Sequence, residues 1–230
     1  IANNAVGYSA TPGFSTLLVT GVSEPVSIGT VPAQAPLAPT NLTAVLQTGP
    51  QVQLNWTDNA TDETGFIIER RVLGGTFAAL PITVPANNGT GNVSYIDTTV
   101  TAGNTYEYQV SAVNAVGQST PSSIASVIIP APPVAPSNVS ATAARSGNRN
   151  ARATLTWTDN SNNETGFNIQ RATDPAFTVN VVNASVGANA TTYTTGNIAR
   201  ATQYYFRVRS YNGQGQSAWV NASPFPITTP

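Results

Sequence analysis

The chain contains no cysteine, histidine, methionine or lysine, and these absences exclude several classes of function. Without cysteine there is no disulfide and no thiolate nucleophile, and without histidine there is no imidazole base. The usual nitrogen and sulfur ligands of zinc are missing as well. The sequence therefore predicts a protein that is not an enzyme, uses no cofactor and relies on its hydrophobic cores for stability.

Charge is also scarce, at 8% of the 230 residues against roughly 25% in ordinary soluble proteins. The nine basic residues are all arginines, scattered apart from Arg70–Arg71 and the loose set Arg145, Arg149 and Arg152. Since they form no basic stripe and the net charge is -1, a nucleic-acid-binding surface is not predicted. No apolar run approaches the roughly 20 residues of a membrane-spanning helix. The exposed surface must be covered by Thr, Ser, Asn and Gln. This composition is typical of a β protein that is extracellular or at the cell surface.

An internal repeat of about 100 residues organises most of the chain. The matching stretches are QLNWTDNATDETGFIIERR (53–71) with TLTWTDNSNNETGFNIQRA (154–172), and NTYEYQVSAVNAVGQS (104–119) with TQYYFRVRSYNGQGQS (202–217). The offset between copies is 97 at the openings, 101 at the tryptophan motif and 98 near the end. Such drift is what loop insertions and deletions produce.

Hydrophobic residues inside each copy recur with a period of two. Val52, Leu54 and Trp56 alternate with polar residues, and so do the apolar residues between Tyr106 and Ala112. Alternation places one set in a core and the other in solvent, and Gly, Pro, Asn and Asp clusters between the runs favour turns. Several short strands with regular turns predict a β-sandwich in each copy.

Each copy resembles a fibronectin type III domain. The resemblance rests on three positions: a core tryptophan of the second strand, an apolar residue that plugs the loop between the fifth and sixth strands, and a tyrosine six residues after the plug. They are Trp56, Val100 and Tyr106 in the first copy, and Trp157, Ile198 and Tyr204 in the second. It implies an all-β fold with two tandem fibronectin type III-like (immunoglobulin-like) β-sandwiches, preceded by a short N-terminal β segment. The W-T-D-N-x-x-x-E-T-G-F motif is similar to the bacterial version of the domain, which is common in secreted and surface proteins.

We expect four segments along the chain. They are an N-terminal β segment (1–37), a first sandwich (38–130), a proline-rich linker (131–136) and a second sandwich (137–230). Because four prolines fall within residues 130–136, the linker is expected to be extended and semi-rigid.

The N-terminal segment is too short for a sandwich, yet residues 15–22 and 25–31 have strand character. An isolated strand has unpaired backbone groups that favour pairing with a sheet edge. That edge could belong to its own first domain or to a neighbouring subunit of a filament. A third interpretation is the tail of a preceding domain, since the chain begins at Ile1 without a methionine. The candidate assembly contacts are Tyr8, Phe14, Leu17, Leu18, Val19 and Trp219.

The loop after each core tryptophan carries acidic residues, Asp58, Asp62 and Glu63 in the first copy and Asp159 and Glu164 in the second. Calcium binding is one interpretation, because carboxylates are hard oxygen ligands. Turn capping by hydrogen bonds to nearby backbone N–H groups is the interpretation that we favour. A glycosidase pair would need a cleft between the two carboxylates, which a sandwich of this kind does not supply.

Two functions remain open. The first is a structural protein that self-associates, as a subunit or spacer of a surface fibre, appendage or matrix, through its N-terminal strand segment. The alternative is an accessory spacer or binding module of a larger secreted enzyme or cytochrome, with a protein or polysaccharide partner. A sugar-binding role would require an exposed aromatic platform, for which Trp219 with Tyr211 or Tyr193 is the candidate.

Overall fold

The computed structural model describes residues 34–87 and 89–230, so the assembly contacts predicted at Tyr8, Phe14 and Leu17–Val19 lie outside the described residues. Within the described ranges the fold is all-β, and no helix there is of a length and hydrophobicity to cross a membrane. Residues 35–230 form one compact unit. Its strands are β1 (Thr40–Gln47), β2 (Gln51–Asp58), β3 (Gly65–Val72), β4 (Ala78–Pro85), β5 (Gly91–Asp97), β6 (Thr105–Val113), β7 (Ala125–Ile128), β8 (Ser137–Ser146), β9 (Asn150–Thr158), β10 (Gly166–Ala172), β11 (Val182–Gly187), β12 (Thr192–Thr194), β13 (Ile198–Ala199), β14 (Gln203–Asn212), β15 (Gly215–Gln216), β16 (Val220–Asn221) and β17 (Ile227–Thr228).

The first sandwich consists of a three-stranded sheet, β1-β2-β5, packed on a four-stranded sheet, β4-β3-β6-β7. All of its strand pairs are antiparallel. The predicted alternation is confirmed, because Val52, Leu54 and Trp56 are buried while the residues between them are more exposed.

The second sandwich repeats this arrangement with two of its strands interrupted. The counterpart of β5, which pairs with β9, is divided into β12 and β13. The last strand is divided into β15, β16 and β17, and each of these three pairs with β14. Prolines at positions 224 and 226 lie in the last interruption, where a missing N–H prevents continuous pairing.

Each core is built around the same aromatic pair. The ring centroids of Trp56 and Phe66 are 5.4 Å apart, and those of Trp157 and Phe167 are also 5.4 Å apart. Tilted and edge contacts at this distance suit the quadrupoles of the two rings. Because the two copies share these residues at the same offset, this aromatic pair lies at the same place in both cores.

The tyrosine of each resemblance motif anchors the loop that precedes its strand. The Tyr106 hydroxyl accepts a hydrogen bond from the Thr101 N–H at 3.1 Å, and the Tyr204 hydroxyl accepts one from the Ala199 N–H at 3.2 Å. The plug residue before each of them is buried to 4% exposure. The contact fixes the loop that connects the two sheets.

Buried polar groups distinguish the two cores. In the first, Asp97 is fully buried and its Oδ2 atom receives hydrogen bonds from Arg70 at 2.7 Å and from the Tyr108 hydroxyl at 2.9 Å. In the second, the corresponding positions hold Thr195 and Phe206. These two residues line a small cavity of about 20 Å³.

Hydrogen bonds join the first sandwich to the second. The Gly49 N–H, in the turn between β1 and β2, donates to the Gly213 carbonyl at 2.8 Å. The Gln214 side chain donates to the Gln47 carbonyl at 3.2 Å. A Cβ atom at Gly215 would come within 3.0 Å of the Pro132 ring, so the turn lies close to the linker.

Candidate functional site: the arginine–tryptophan face of the second sandwich

The outer face of the second sandwich carries two neighbouring arginines, Arg207 and Arg209 on β14. They alternate with Phe206 and Val208, which are buried, so the period of the strand directs both arginines outward. The register between β10 and β14 places Gln170 opposite Arg207 and Asn168 opposite Arg209. We call this surface, together with Trp219 and Phe177, the arginine–tryptophan face.

Aromatic rings stack on these guanidinium groups. The Trp219 ring lies 4.2 Å from the Arg209 guanidinium carbon and 4.7 Å from that of Arg207. Arg207 also lies 3.9 Å from the centroid of Phe177, and Phe177 stacks on Phe225 at 6.3 Å. Cation–π attraction of this kind is about 0.5–1 kcal/mol at exposed sites and larger where water is excluded. The side chains therefore form an ordered ladder along the face.

The polar contacts of the two arginines differ. Arg207 Nε donates to Gln170 Oε1 at 2.7 Å, and Gln170 Nε2 donates to Asn183 Oδ1 at 2.9 Å. Arg209 Nε is buried without a hydrogen-bond partner in the described part of the chain. Arg209 and Trp219 line a groove of about 290 Å³ whose walls are mainly polar side chains of β10 and β11. A donor that lacks a partner beside such a groove is suited to an acceptor group from a ligand.

Neither arginine of the face is paired with a carboxylate. Within residues 34–87 and 89–230 the ion pairs are Arg70–Asp97 and Arg71–Glu107, both in the first sandwich. Desolvation lowers the pKa of both Arg207 and Arg209, and the neighbouring positive charge of Arg209 lowers the pKa of Arg207 further. Both groups remain cationic at neutral pH. The face is therefore a site of uncompensated positive charge.

The same face of the first sandwich has a different character. Gln109 and Ser111 stand where the second sandwich has its two arginines, and Glu69 stands where it has Gln170. Arg71 stacks on Phe77 at 4.3 Å and pairs with Glu107. Positive charge is thus compensated in the first copy and uncompensated in the second.

The structure places Trp219 outside the regular strands of the second sandwich. It follows the turn after β14, but it lies directly before the two-residue strand β16 rather than within a strand, and it is half-buried. Its ring contacts are the two guanidinium groups. Tyr211 packs near Gly166, and Tyr193 belongs to β12 on the other sheet. No ring contact joins Trp219 to Tyr211 or to Tyr193 among the described residues.

The acidic loops make the turn contacts that we favoured over metal binding. Asp58 Oδ1 accepts the Ala60 N–H at 3.0 Å, and Asp159 Oδ1 accepts the Ser161 N–H at 3.0 Å. A cluster of three or more metal-binding side chains does not occur among the described residues. These loops hold the ends of the sandwiches in shape.

Sequence reasoning missed Arg207, Arg209 and Phe177. A signal was available for the arginines, since they alternate with core residues and have no counterpart in the first copy. Phe177 gave no such signal, because it lies in the irregular loop after β10 at a φ of 56°. Its contact with Arg207 depends on tertiary structure.

Comparison with known proteins places the fold. The model of the family "Fibronectin type III domain" matches residues 37–128 and 134–225. Among solved structures, the chain is similar to the FN1–FN3 domains of chicken CNTN1, with 19% identity and a TM-score of 0.50. That match covers 85% of this chain and 66% of the chicken chain, so this chain spans slightly less than two thirds of its neighbour. No curated protein matches the sequence.

The chain therefore belongs to the fibronectin type III family and contains two tandem copies of the domain. Domains of this family are typically non-catalytic scaffold or binding modules, found in extracellular and surface proteins. The likeness to the chicken structure shows the shared sandwich fold.

Proposed function

We propose that this chain is a non-catalytic structural protein of the cell exterior, a subunit or spacer of a surface fibre, appendage or matrix. The observation that most supports this role is the joint between the sandwiches, where the Gly49 N–H donates to the Gly213 carbonyl at 2.8 Å. A spacer must hold its ends at a defined separation, and a hydrogen-bonded joint restricts bending more than a free linker does. The role also fits the motif around each core tryptophan, which is similar to the bacterial version of the domain that is common in secreted and surface proteins.

The contacts of the linker support the same conclusion. The Ala131 carbonyl accepts hydrogen bonds from the side chains of Asn163 at 3.0 Å and Asn212 at 2.9 Å. The Ser210 hydroxyl donates to the Val134 carbonyl at 2.7 Å. Because prolines already restrict this stretch, these bonds hold a linker that has little freedom to lose.

Assembly through the N-terminal segment is the route that the sequence suggests. In this proposal residues 1–37 add a strand to a neighbouring subunit, with Tyr8, Phe14 and Leu17–Val19 as anchors and Trp219 as a further contact. The test compares the solution mass of the intact chain with that of a variant starting at Pro36, by light scattering, with electron microscopy of the same samples.

Oligomers or fibres of the intact chain that disappear in the shortened variant would support this route. If both proteins associate equally, the segment is not the assembly strand. If neither associates over a wide range of protein and salt concentration, the fibre role is wrong and the chain is better described as a spacer or binding module.

The arginine–tryptophan face favours a second candidate, an accessory module that binds carboxylate-bearing ligands. Arg207 and Arg209 supply positive charge without a carboxylate partner, and their guanidinium groups already stack on the Trp219 ring that a neutral sugar would need. Calorimetric titration with polygalacturonate and with dextran tests it. The candidate requires that the chain binds polygalacturonate and does not bind dextran. Binding should be lost in Arg209→Gln and kept in the distant control Arg145→Gln.

A further inference from the structure

The charge of the chain is divided unevenly between its two sandwiches. Residues 38–130 contain two arginines and six carboxylates, a net charge of -4. Residues 137–230 contain seven arginines and three carboxylates, a net charge of +4. The overall charge of -1 conceals this separation. Two copies of the chain can therefore attract each other when the first sandwich of one approaches the second sandwich of the other.

Positive charge of the second sandwich is concentrated on one hairpin. The turn between β8 and β9, residues 147–149, is flanked by Arg145 and Arg152 and contains Arg149, and all three arginines are exposed. The pairing extends two residues further along each strand than in the β1–β2 hairpin. At about 3.3 Å per residue, the turn projects roughly 7 Å farther. We call this element the basic hairpin.

The corresponding hairpin of the first sandwich is part of the joint already described. Its turn residue Gly49 donates to Gly213, in the turn of residues 212–215 that follows β14. In this joint the β1–β2 turn of the first sandwich thus contacts the turn that follows β14, the counterpart of β6, in the second. The basic hairpin is the equivalent element of the second sandwich, and none of its three arginines is ion-paired within the described residues.

The first sandwich has a matching turn at its other end. Asn114 Oδ1 accepts the N–H groups of Val116 and Gly117 at 2.9 and 3.2 Å. Asn212 Oδ1 accepts the corresponding N–H groups of Gln214 and Gly215 at 2.8 and 3.0 Å. The two turns therefore have the same fold. Val116, at the position of Gln214, is 52% exposed and apolar.

Negative charge lies beside this turn. Asn114 Nδ2 donates to Asp62 Oδ2 at 3.2 Å, which brings the loop of residues 58–63 next to it. Asp62 is exposed, while Asp58 Oδ2 and Glu63 Oε2 are buried without hydrogen-bond partners in the described part of the chain. Asp62 is therefore the carboxylate of this loop that an approaching cation can contact. We call the loop 58–63 and the turn 114–117 the acidic end.

We propose that the basic hairpin of one copy docks on the acidic end of a second copy, repeating between molecules the arrangement of the joint within each molecule. The arginines of the hairpin face the exposed Asp62, and the turn of the hairpin contacts Val116. Such a head-to-tail contact leaves one free surface of each kind at the two ends of an assembly, so it can propagate as a filament. The inference rests on the proposed structural function and names the surfaces that would carry it.

Charge reversal on the full-length chain tests the proposal. In sedimentation velocity at low salt, Arg149→Glu is expected to weaken self-association by about tenfold or more, which corresponds to about 1.4 kcal/mol. Adding Asp62→Arg to the same chain is expected to restore it, because the two reversed charges again attract each other between copies. Association of the intact chain should also weaken as salt is raised.

Arg207→Glu makes the same change of charge on the arginine–tryptophan face, so its comparison with Arg149→Glu distinguishes that face from the basic hairpin as the surface of association. If Arg207→Glu weakens association and Arg149→Glu does not, the contact lies on that face and the proposal is wrong. If the intact chain associates but neither single variant nor the double variant differs from it, the docking is also wrong, while the structural function stands. A chain that never associates would contradict both.

Disulfide capture gives a second, geometric test that the absence of native cysteine makes simple. Full-length Ala115→Cys and Asn148→Cys are mixed and oxidised, and the products are separated under non-reducing conditions. The proposal predicts a heterodimer that forms faster than in a mixture of Ala115→Cys with Ser185→Cys, an equally exposed site on β11. Equal rates in the two mixtures would contradict the docking.

Discussion

Asp97 and Thr195 occupy the same place in the two sandwiches but make different contacts. Asp97 accepts hydrogen bonds from Arg70, Tyr108 and Thr99 in a fully buried site, whereas Thr195 accepts one from the backbone N–H of Ala153 at 3.0 Å. The first core therefore contains a buried charge network, and the second replaces it with a neutral hydroxyl and a small cavity. We therefore expect the two domains to respond differently to acid.

We expect Asp97→Asn to lower the free energy of unfolding of the first domain by about 3 kcal/mol, because it leaves the Arg70 guanidinium without its buried partner. Chemical denaturation at neutral pH measures the loss. The comparison is Thr195→Val in the second domain, which removes no charge. An equal loss in the two variants would contradict the role assigned to the network.

The same carboxyl predicts a dependence on pH. Burial by itself raises the pKa of Asp97, but hydrogen bonds from Thr99, Arg70 and Tyr108 outweigh burial and lower the pKa below its ordinary value of 3.8. A group with a lowered folded pKa contributes stability above its unfolded pKa, and the contribution is lost as pH falls through the folded value. The difference in unfolding free energy between the natural chain and Asp97→Asn should therefore be constant above about pH 5 and shrink below the ordinary value. A difference that is unchanged in strong acid would contradict this assignment.

The tyrosine hydroxyls give a third prediction. Tyr204→Phe removes the acceptor of the Ala199 N–H and should destabilise the second domain by about 1–2 kcal/mol. Tyr106→Phe should do the same in the first domain, where it removes the acceptor of the Thr101 N–H. Tyr205→Phe is the control, since its ring contacts Phe225 and its hydroxyl makes no hydrogen bond to a described residue. Thermal unfolding of the three variants distinguishes them, and equal melting temperatures would show that the hydroxyls do not hold the loops.

Close backbone packing beneath β10 gives a fourth prediction. A Cβ atom at Gly166 would overlap the Val186 carbonyl and come within 2.9 Å of the Tyr211 hydroxyl. We expect Gly166→Ala to cost about 2 kcal/mol through this overlap. Gly187→Ala, where a Cβ would meet nothing within 4 Å, should change stability by about 0.5 kcal/mol or less. Unfolding midpoints in denaturant measure both, and a larger effect at Gly187 would contradict the packing described.

The stacked side chains of the arginine–tryptophan face give a fifth prediction. Trp219→Ala removes the ring that lies over two guanidinium groups and should destabilise the second domain by about 1–2 kcal/mol. Trp219→Phe keeps an aromatic ring at the position, so it should lose at most half as much free energy of unfolding as Trp219→Ala. If the alanine variant is as stable as the natural chain, the ladder does not contribute to folding and the ring is available mainly for binding.

Local signals in the sequence were sufficient for the sandwiches. Alternation around Trp56 and Tyr106, repeated around Trp157 and Tyr204, predicts which faces are buried, because the period of a strand is a property of neighbouring residues. The caps at Asp58 and Asp159 were predictable for the same reason.

Contacts between distant residues were not predictable in this way. The hydrogen bond from Gly49 to Gly213 joins residues 164 positions apart, and no periodicity indicates it. Trp219 stood out as an unmatched aromatic, but its stacking depends on the interrupted last strand. The prolines that cause the interruption were visible in the sequence, while the register on either side of it was not.

The Trp–Phe pair at 5.4 Å in each core has a consequence for how the two domains diverged. If the chain arose by duplication of one ancestral module, the contact between tryptophan and phenylalanine was kept while outward residues of β6 and β14 diverged, since Gln109 and Ser111 of the first copy correspond to Arg207 and Arg209 of the second. Along β14 these changed positions alternate with the buried Phe206 and Val208, so folding and surface contact depend on alternate positions of a single strand. A chimera that carries the outward residues of one module on the core of the other should fold with the recipient's stability and have the donor's surface charge.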